Sequence, residues 1–275
     1  MTDPQRITSR QNDRVKAVSA LRDAAERRRT GLFIAEGMRE VQRAMEAGLG
    51  VRDVFVCPQV LGKKEPSGGT RLREAASGVW YEVSESVLAK LAYRENPEGI
   101  VAVFEQPRWT FETIMPRVVP ELWLVGSGLT KPGNVGAMAR TALAAGATAL
   151  IVTGGGVDAF NPNAIRASTG AVFTLPVVEA EVTRVLEFFA GRDVMLIAAD
   201  PAAQTTYTDL DLHGPLAVVI GAEDTGLDPA WTKHSQITRA AIPTQNHSVD
   251  SLNASVAAAV FLFEALRQRS LPRKR

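Results

Sequence analysis

The sequence predicts an α/β protein of two domains, and three observations carry that prediction. Short apolar runs alternate with helix-periodic segments along the chain; the consecutive Leu216, Ala217, Val218, Val219 and Ile220 are one such run. An unbroken apolar run suits a strand covered by helices on both faces, as in a largely parallel sheet. Pro107, Pro116 and Pro120 fall close together and mark a linker between two such alternating blocks. The length of 275 residues exceeds one average domain and accommodates two. The expected division is a first domain over 1–106, a linker over 107–120 and a second domain over 121–275.

In the first domain, Ser9 is placed to cap one helix that ends at Gly31, with Val15, Val18, Leu21 and Ala25 on one face and the arginines on the other. A strand over 32–35, a helix over 38–47 and a strand over 51–56 follow. Pro66, Ser67, Gly68 and Gly69 mark a loop, after which come a strand over 80–83, a helix over 85–91 and a strand over 100–104. The second domain has expected strands at 122–125, 149–153, 172–178, 194–199, 216–220 and 238–242. Its expected helices cover 135–145, 163–168, 182–189 and 251–267.

Composition narrows the function classes. With 31 basic against 30 acidic residues the chain is no polycation, so any affinity for nucleic acid must be local. Basic residues gather on the first helix (Arg10, Arg14, Arg27, Arg28, Arg29) and at the end of the chain (Arg267, Arg269, Arg273, Lys274, Arg275). Solvated helix faces carry such charge too, so this alone does not decide. Cys57 is the sole cysteine, which excludes an internal disulfide, and its neighbours Val54, Phe55 and Val56 predict a buried, inert thiol. His213, His234 and His247 lack metal-ligand spacing, so no metal is expected. Neither a signal-peptide core nor a run of about 20 apolar residues is present, and the expectation is a cytoplasmic protein without a membrane segment.

Three loops of the second domain carry chemistry. Lys131-Pro132-Gly133-Asn134 leads into an alanine-rich helix; Asn134 is read as its N-cap, and Arg140 offers a planar fork for phosphate. Gly221-Ala222-Glu223-Asp224 follows a buried strand, where ligands of open α/β sheets bind, and glycine permits close backbone approach. Ile242-Pro243 through Asp250 forms a polar loop that ends in Ser251, Leu252 and Asn253 at the start of the last helix. Between the first two, Asn161-Pro162 to Gly170 brings Arg166 and Ser168 to a loop face. Each loop alone is equally consistent with a cap or a structural turn.

Together, in this order and spacing, they resemble the SpoU/TrmH branch of the SPOUT superfamily of RNA ribose 2′-O-methyltransferases. Pro132-Gly133-Asn134-Val135-Gly136 with Arg140 is similar to the family's first motif, Gly221-Ala222-Glu223 with Gly226-Leu227 to the second, and Ile242-Pro243 with 251–255 to the third. Ile7-Thr8-Ser9, Phe33-Ile34-Ala35-Glu36-Gly37 and 96–100 are similar to the substrate-binding domain that precedes many members. The resemblance implies a small ribosomal-protein-like α/β domain ahead of a catalytic domain with a mainly parallel sheet and a deep C-terminal trefoil knot. It also implies a homodimer and S-adenosylmethionine as cofactor, held by main chain at Gly221, Ile242 and Leu252. Asn134, Arg140, Glu223, Ser251 and Asn253 then form the reaction site. Arg10, Arg14, Arg27, Arg28, Arg29 and Arg166 are the expected RNA contacts. Lys131, Asp224-Thr225 and Gln245-Asn246-His247 depart from the family pattern, on loops that bear on target choice.

The expected reaction is methylation of a structured RNA, 23S ribosomal RNA ahead of transfer RNA because of the separate basic domain, whether as housekeeping or as antibiotic resistance. Two alternatives stand beside it. A non-catalytic RNA-binding or ribosome-assembly protein would keep the fold. A dinucleotide-dependent oxidoreductase is disfavoured, because Gly133 and Gly136 do not make the Gly-x-Gly-x-x-Gly spacing and Thr153-Gly154-Gly155 stands where a ribose-binding acid would end the next strand.

Overall fold

The computed structural model describes residues 5–64, 79–116, 119–155, 157–245 and 251–271. Of the loop expected over 63–70, residues 63–64 end a helix and 65–70 lie outside the described residues, as do Asn246, His247 and the basic Arg273, Lys274 and Arg275. The chain divides into two compact units, residues 1–108 with 160–173, and residues 109–159 with 174–275. The break at 108 falls inside the expected linker over 107–120, whose later residues belong to the second unit, with Phe111 and Ile114 in its core; the transfer of 160–173 to the first unit departs from the expected continuous block 121–275.

The first unit is built on a five-stranded mixed sheet in the order β1-β4-β3-β5-β2: β1 (Gln5–Ile7), β2 (Leu32–Glu36), β3 (Val51–Val56), β4 (Val79–Val83) and β5 (Ile100–Glu105). β5 runs antiparallel to β2 and β3, and the other pairs are parallel. Helices α1 (Asp13–Ala20), α2 (Ala24–Thr30), α3 (Met38–Glu46), α4 (Pro58–Lys64) and α5 (Glu85–Leu91) complete it. Val15, Val18 and Leu21 pack with Phe55, Tyr81, Leu88 and Leu91, while Ala25 is exposed. Cys57 is buried as expected, and burial pushes its thiol pKa up.

The single helix expected from Ser9 to Gly31 is two helices, for local reasons. Asn12, not Ser9, caps α1 through the Arg14 amide, and Asp23 caps α2 through the Ala25 amide at 2.7 Å. Between them the Arg27 guanidinium donates to the carbonyls of Leu21 (2.7 Å) and Arg22 (2.8 Å), satisfying acceptors that the end of α1 leaves open. Gly31 ends α2 in the left-handed region at φ 66°, as its position predicted.

The second unit holds a six-stranded, wholly parallel sheet in the order β11-β9-β10-β6-β7-β8. Its strands are β6 (Leu122–Ser127), β7 (Ala149–Thr153), β8 (Val177–Glu179), β9 (Met195–Ala199), β10 (Leu216–Ile220) and β11 (Ile237–Ala240). Central β10 is buried at every residue, which is why its sequence is apolar without alternation. The strand expected over 172–178 is instead a 3-10 turn at Ala171–Phe173 and the short β8.

Helix α6 (Pro132–Ala144) belongs to this unit; α7 (Pro162–Ser168) lies in the first. The second unit also holds α8 (Val182–Ala190), α9 (Pro229–Thr232) and α10 (Ala254–Arg269). α8 turns Val182, Val185 and Phe189 into a core with Trp123 and Trp231. Fully buried Trp231 also donates from Nε1 to Ser127 Oγ at 3.1 Å, so Trp231→Ala would cost about 3–5 kcal/mol. On the other face α6 packs against α10, small side chains such as Ala139, Ala258 and Ala265 being buried there. The basic end of α10 is not simply solvated: Arg269 donates to the carbonyls of Leu212, Pro120, Glu121 and Gly214 at 2.6–3.1 Å, and desolvation lowers its pKa.

Candidate active site

Three strands end at one cavity of about 320 Å³. Ala199 and Asp200 close β9, Ile220 and Gly221 close β10, and Ala240 and Ile242 flank the end of β11; Leu227, Leu252 and Phe261 complete an apolar wall. A site off the carboxyl ends of parallel strands, in the size range of about 300–1,000 Å³ of small-molecule pockets, suits one bound cofactor.

Gly221 shapes this cavity through the chain itself. A Cβ there would stand 2.5 Å from the Gly226 carbonyl carbon and 2.7 Å from the Leu227 nitrogen. The close approach that glycine was expected to give a ligand therefore serves the chain's own turn, in which Ala222 and Gly226 exchange two main-chain hydrogen bonds of 3.0 Å. Gly226 has φ 70°. Ile242 and Leu252 line the cavity as expected and form no main-chain hydrogen bond with another described residue.

At the mouth, Glu223 is the hub of a polar cluster. Lys131 Nζ donates to its Oε2 at 2.5 Å and Asn134 Nδ2 to its Oε1 at 3.2 Å. Asn253 Nδ2 donates to Glu223 Oε1 and, at 3.2 Å, to Asn134 Oδ1, and the Ala254 amide reaches Glu223 Oε1 at 3.4 Å. The Lys131 ammonium first, and then the Asn134 amide, hold the Glu223 carboxyl below the usual carboxylate range; Glu223 in turn raises Lys131. The ionised carboxylate thus sits beside the N-terminal turns of α6 and α10, where helix dipoles favour negative charge.

Two of the expected helix starts shift. Lys131 is the N-cap of α6 with Pro132 in its first turn, so Asn134 is not a cap; its side chain is released to meet Glu223. The last helix begins at Ala254, and Asn253 is its cap, accepting from the Ser255 amide at 3.0 Å. Ser251 lines the cavity and is exposed. Arg140 lies six residues beyond Asn134, roughly 9 Å along α6 and well round its circumference. It is exposed and has no hydrogen bond or ion pair among the described residues, so the structure gathers Asn134, Glu223 and Asn253 but does not tie Arg140 to them.

The expected RNA contacts separate in the same way. Arg10, Arg28, Arg29 and Arg166 are exposed, Arg29 being paired with Glu26. Arg27 is 1% exposed and works as an internal pin, so it is withdrawn as an RNA contact. Arg14 is exposed too but anchored, at 2.7 Å from buried Asp53 and over the Tyr81 ring. Sequence reasoning treated Lys131 only as a departure from pattern; a cation just before a proline-started helix, facing a glycine-framed acid, was the available signal.

Comparison with known proteins agrees with this architecture. Residues 121–263 match the model of the SpoU rRNA Methylase family, and residues 12–102 match that of the MRM3-like substrate binding domain. A 23S rRNA (uridine(2479)-2′-O)-methyltransferase of Streptomyces viridochromogenes is 33% identical over 96% of this chain and 93% of that protein. A crystal structure of an RNA 2′-O ribose methyltransferase is 41% identical and superposes with TM-score 0.83, over 97% of this chain and 100% of that one. The SpoU methyltransferase AviRb of Streptomyces viridochromogenes, in complex with the cofactor AdoMet, is 30% identical with TM-score 0.85, over 96% of this chain and 100% of that one.

Proposed function

The chain belongs to the SpoU rRNA methylase family, and from that premise we propose that it methylates a ribose 2′-hydroxyl of 23S ribosomal RNA with S-adenosylmethionine as methyl donor. The observation that carries the reading at the level of residues is the Lys131-Asn134-Glu223-Asn253 cluster at the mouth of the apolar cavity. Bound there, S-adenosylmethionine supplies an electrophilic methyl on a sulfonium.

The chain's own residues do the remaining work. The apolar wall of Ile220, Leu227, Ile242 and Leu252 excludes water, and main-chain groups at Ile242 and Leu252 orient the cofactor. Asn134, Ser251 and Asn253 position the ribose, with Glu223 fixing both amides through hydrogen bonds. Alignment of nucleophile and methyl carbon is the main demand of such a transfer. Arg140, with its planar fork of donors, is assigned the target phosphate and the charge that develops on the 2′-oxygen.

A homodimer, a C-terminal knot and a cytoplasmic location belong to the same reading. Val256, Phe263 and Leu266 are exposed along one stripe of α10, an apolar face that a second copy would cover. The last helix, α10, packs against the first helix of the unit, α6. Among the described residues no helix is long and apolar enough to cross a membrane, and no cluster suits a metal. Titration calorimetry with S-adenosylmethionine tests the enzyme reading against a non-catalytic RNA-binding protein, for which no saturable heat is expected. Mapping 2′-O-methylation in 23S and transfer RNA with and without the gene tests the substrate.

A further inference from the structure

The first unit carries a second small cavity, of about 20 Å³, that the reaction site does not use. Glu36, at the end of β2 and only 9% exposed, is one of the residues that line it. Glu36 Oε2 accepts from the main-chain amides of Tyr93 (2.7 Å) and Arg94 (3.1 Å), whereas Oε1 is buried without a hydrogen-bond partner among the described residues. A buried carboxylate oxygen left unpaired is costly and calls for a ligand.

The walls and rim have the chemistry of a nucleotide site. Arg22, Arg94 and Arg166 line the cavity with Tyr93. Arg22 is committed to the carbonyls of Lys90 and Ala92, and Arg94 is paired with Glu40 and Glu98. Arg166 remains exposed at the rim and, among the described residues, is held only by Asn163 Oδ1 at 3.3 Å. The Tyr93 ring is 46% exposed, and its hydroxyl is fixed by Asn163 Nδ2 at 3.0 Å. A cavity this size admits one water-sized group, not a base ring. A fixed aromatic ring, an exposed guanidinium and a recessed acceptor together match the way proteins take up an unstacked RNA base.

We propose that this cavity reads a nucleobase of the substrate RNA, Glu36 Oε1 accepting a hydrogen bond from the base's exocyclic amino group while its ring rests on Tyr93 and its phosphate meets Arg166. The assignment builds on the RNA-methyltransferase reading and adds a specificity-determining residue to it. Uracil is discriminated against, because its one imino N–H lies between two carbonyls that would face the carboxylate.

The test is binding of short oligocytidine and oligouridine RNA to the full chain at fixed moderate ionic strength, followed by fluorescence anisotropy without S-adenosylmethionine. Oligocytidine is expected to bind about tenfold tighter than oligouridine, the value of one hydrogen bond to a charged group. N4,N4-dimethylation of the cytosines should abolish that preference without any change to the protein. Glu36→Gln, which keeps an acceptor for the two amides and turns the free acceptor into a donor, should do the same; Arg166→Ala should weaken both RNAs alike. Equal binding of the two RNAs by the unaltered chain, or a preference that survives dimethylation, overturns the proposal and leaves Oε1 to a buried water. The calorimetric test of the cofactor is independent of this one, so failure of either reading is separable from failure of the other.

Discussion

Lys131 Nζ stands 2.5 Å from Glu223 Oε2 and joins the loop before α6 to the turn after β10. That contact is the largest cause of the low pKa of Glu223. A carboxyl depressed in the folded chain adds stability above its ordinary range and loses that contribution as pH falls through the depressed value. Lys131→Met removes the contact, so the acid limb of the pH–rate profile should move to higher pH. An acid limb unchanged by Lys131→Met would show that Glu223 ionisation does not control the reaction.

Asn253 has two tasks, capping α10 and bonding Glu223. Asn253→Ala should lose both, with about 1 kcal/mol of stability from the cap. Asn253→Asp keeps the cap but sets a second carboxylate against Glu223, so thermal stability near neutral pH should fall less than methylation does. Melting temperature and turnover measured on the two variants separate the tasks.

Gly221→Ala places a methyl against the Gly226 main chain, which cannot yield as a flexible side chain would. The turn over 222–226 should shift and S-adenosylmethionine affinity should drop at least about tenfold by calorimetry, an overpacking cost of about 1–3 kcal/mol. Cofactor affinity equal to that of the unaltered chain would remove the turn from the binding site.

Arg140→Lys keeps a cation and loses the planar fork. With no tie to other described residues, Arg140 should tolerate the change in stability while turnover falls about a hundredfold, the scale of one lost donor to developing negative charge. Single-turnover methylation of 23S ribosomal RNA measures it, and near-normal turnover would sink the bidentate role.

Neighbouring arginines on α2 should behave in opposite ways. Arg27→Ala strips the Leu21 and Arg22 carbonyls of a buried donor and should destabilise the first unit by about 2–3 kcal/mol. Arg28→Ala should leave the melting temperature unchanged and weaken RNA binding with a shallower salt dependence. Denaturant titration and binding at two salt concentrations distinguish them.

The sequence made most of the scaffold legible because period and punctuation are local properties. The expected spans for β3, β7, β10 and α5 coincide with the observed ones. What it missed depends on partners distant in the chain. The split of α1 from α2 rests on where the Arg27 side chain turns, and Ser9 gave a cap signal that Asn12 in fact supplies. Periodicity placed Arg27 with Arg28 and Arg29, and only packing puts one inside. At the candidate site the family motifs named Asn134, Glu223 and Asn253, but the ion pair to Lys131 spans 92 residues and no spacing rule reaches it. Likewise, nothing local to Glu36 announces that one of its oxygens is left unpaired.

The aromatic cluster of the first unit bears on how the chain can be divided. Phe33 on β2 packs its ring against Phe104 at 5.6 Å, but also against Phe160 at 4.8 Å and Phe173 at 5.4 Å, which the sequence places after β7. A fragment cut at residue 108 would therefore carry the whole sheet and lack two of the rings that cover it. Expressed alone, such a fragment would bare the parts of the Phe33 ring that Phe160 and Phe173 cover in the whole chain.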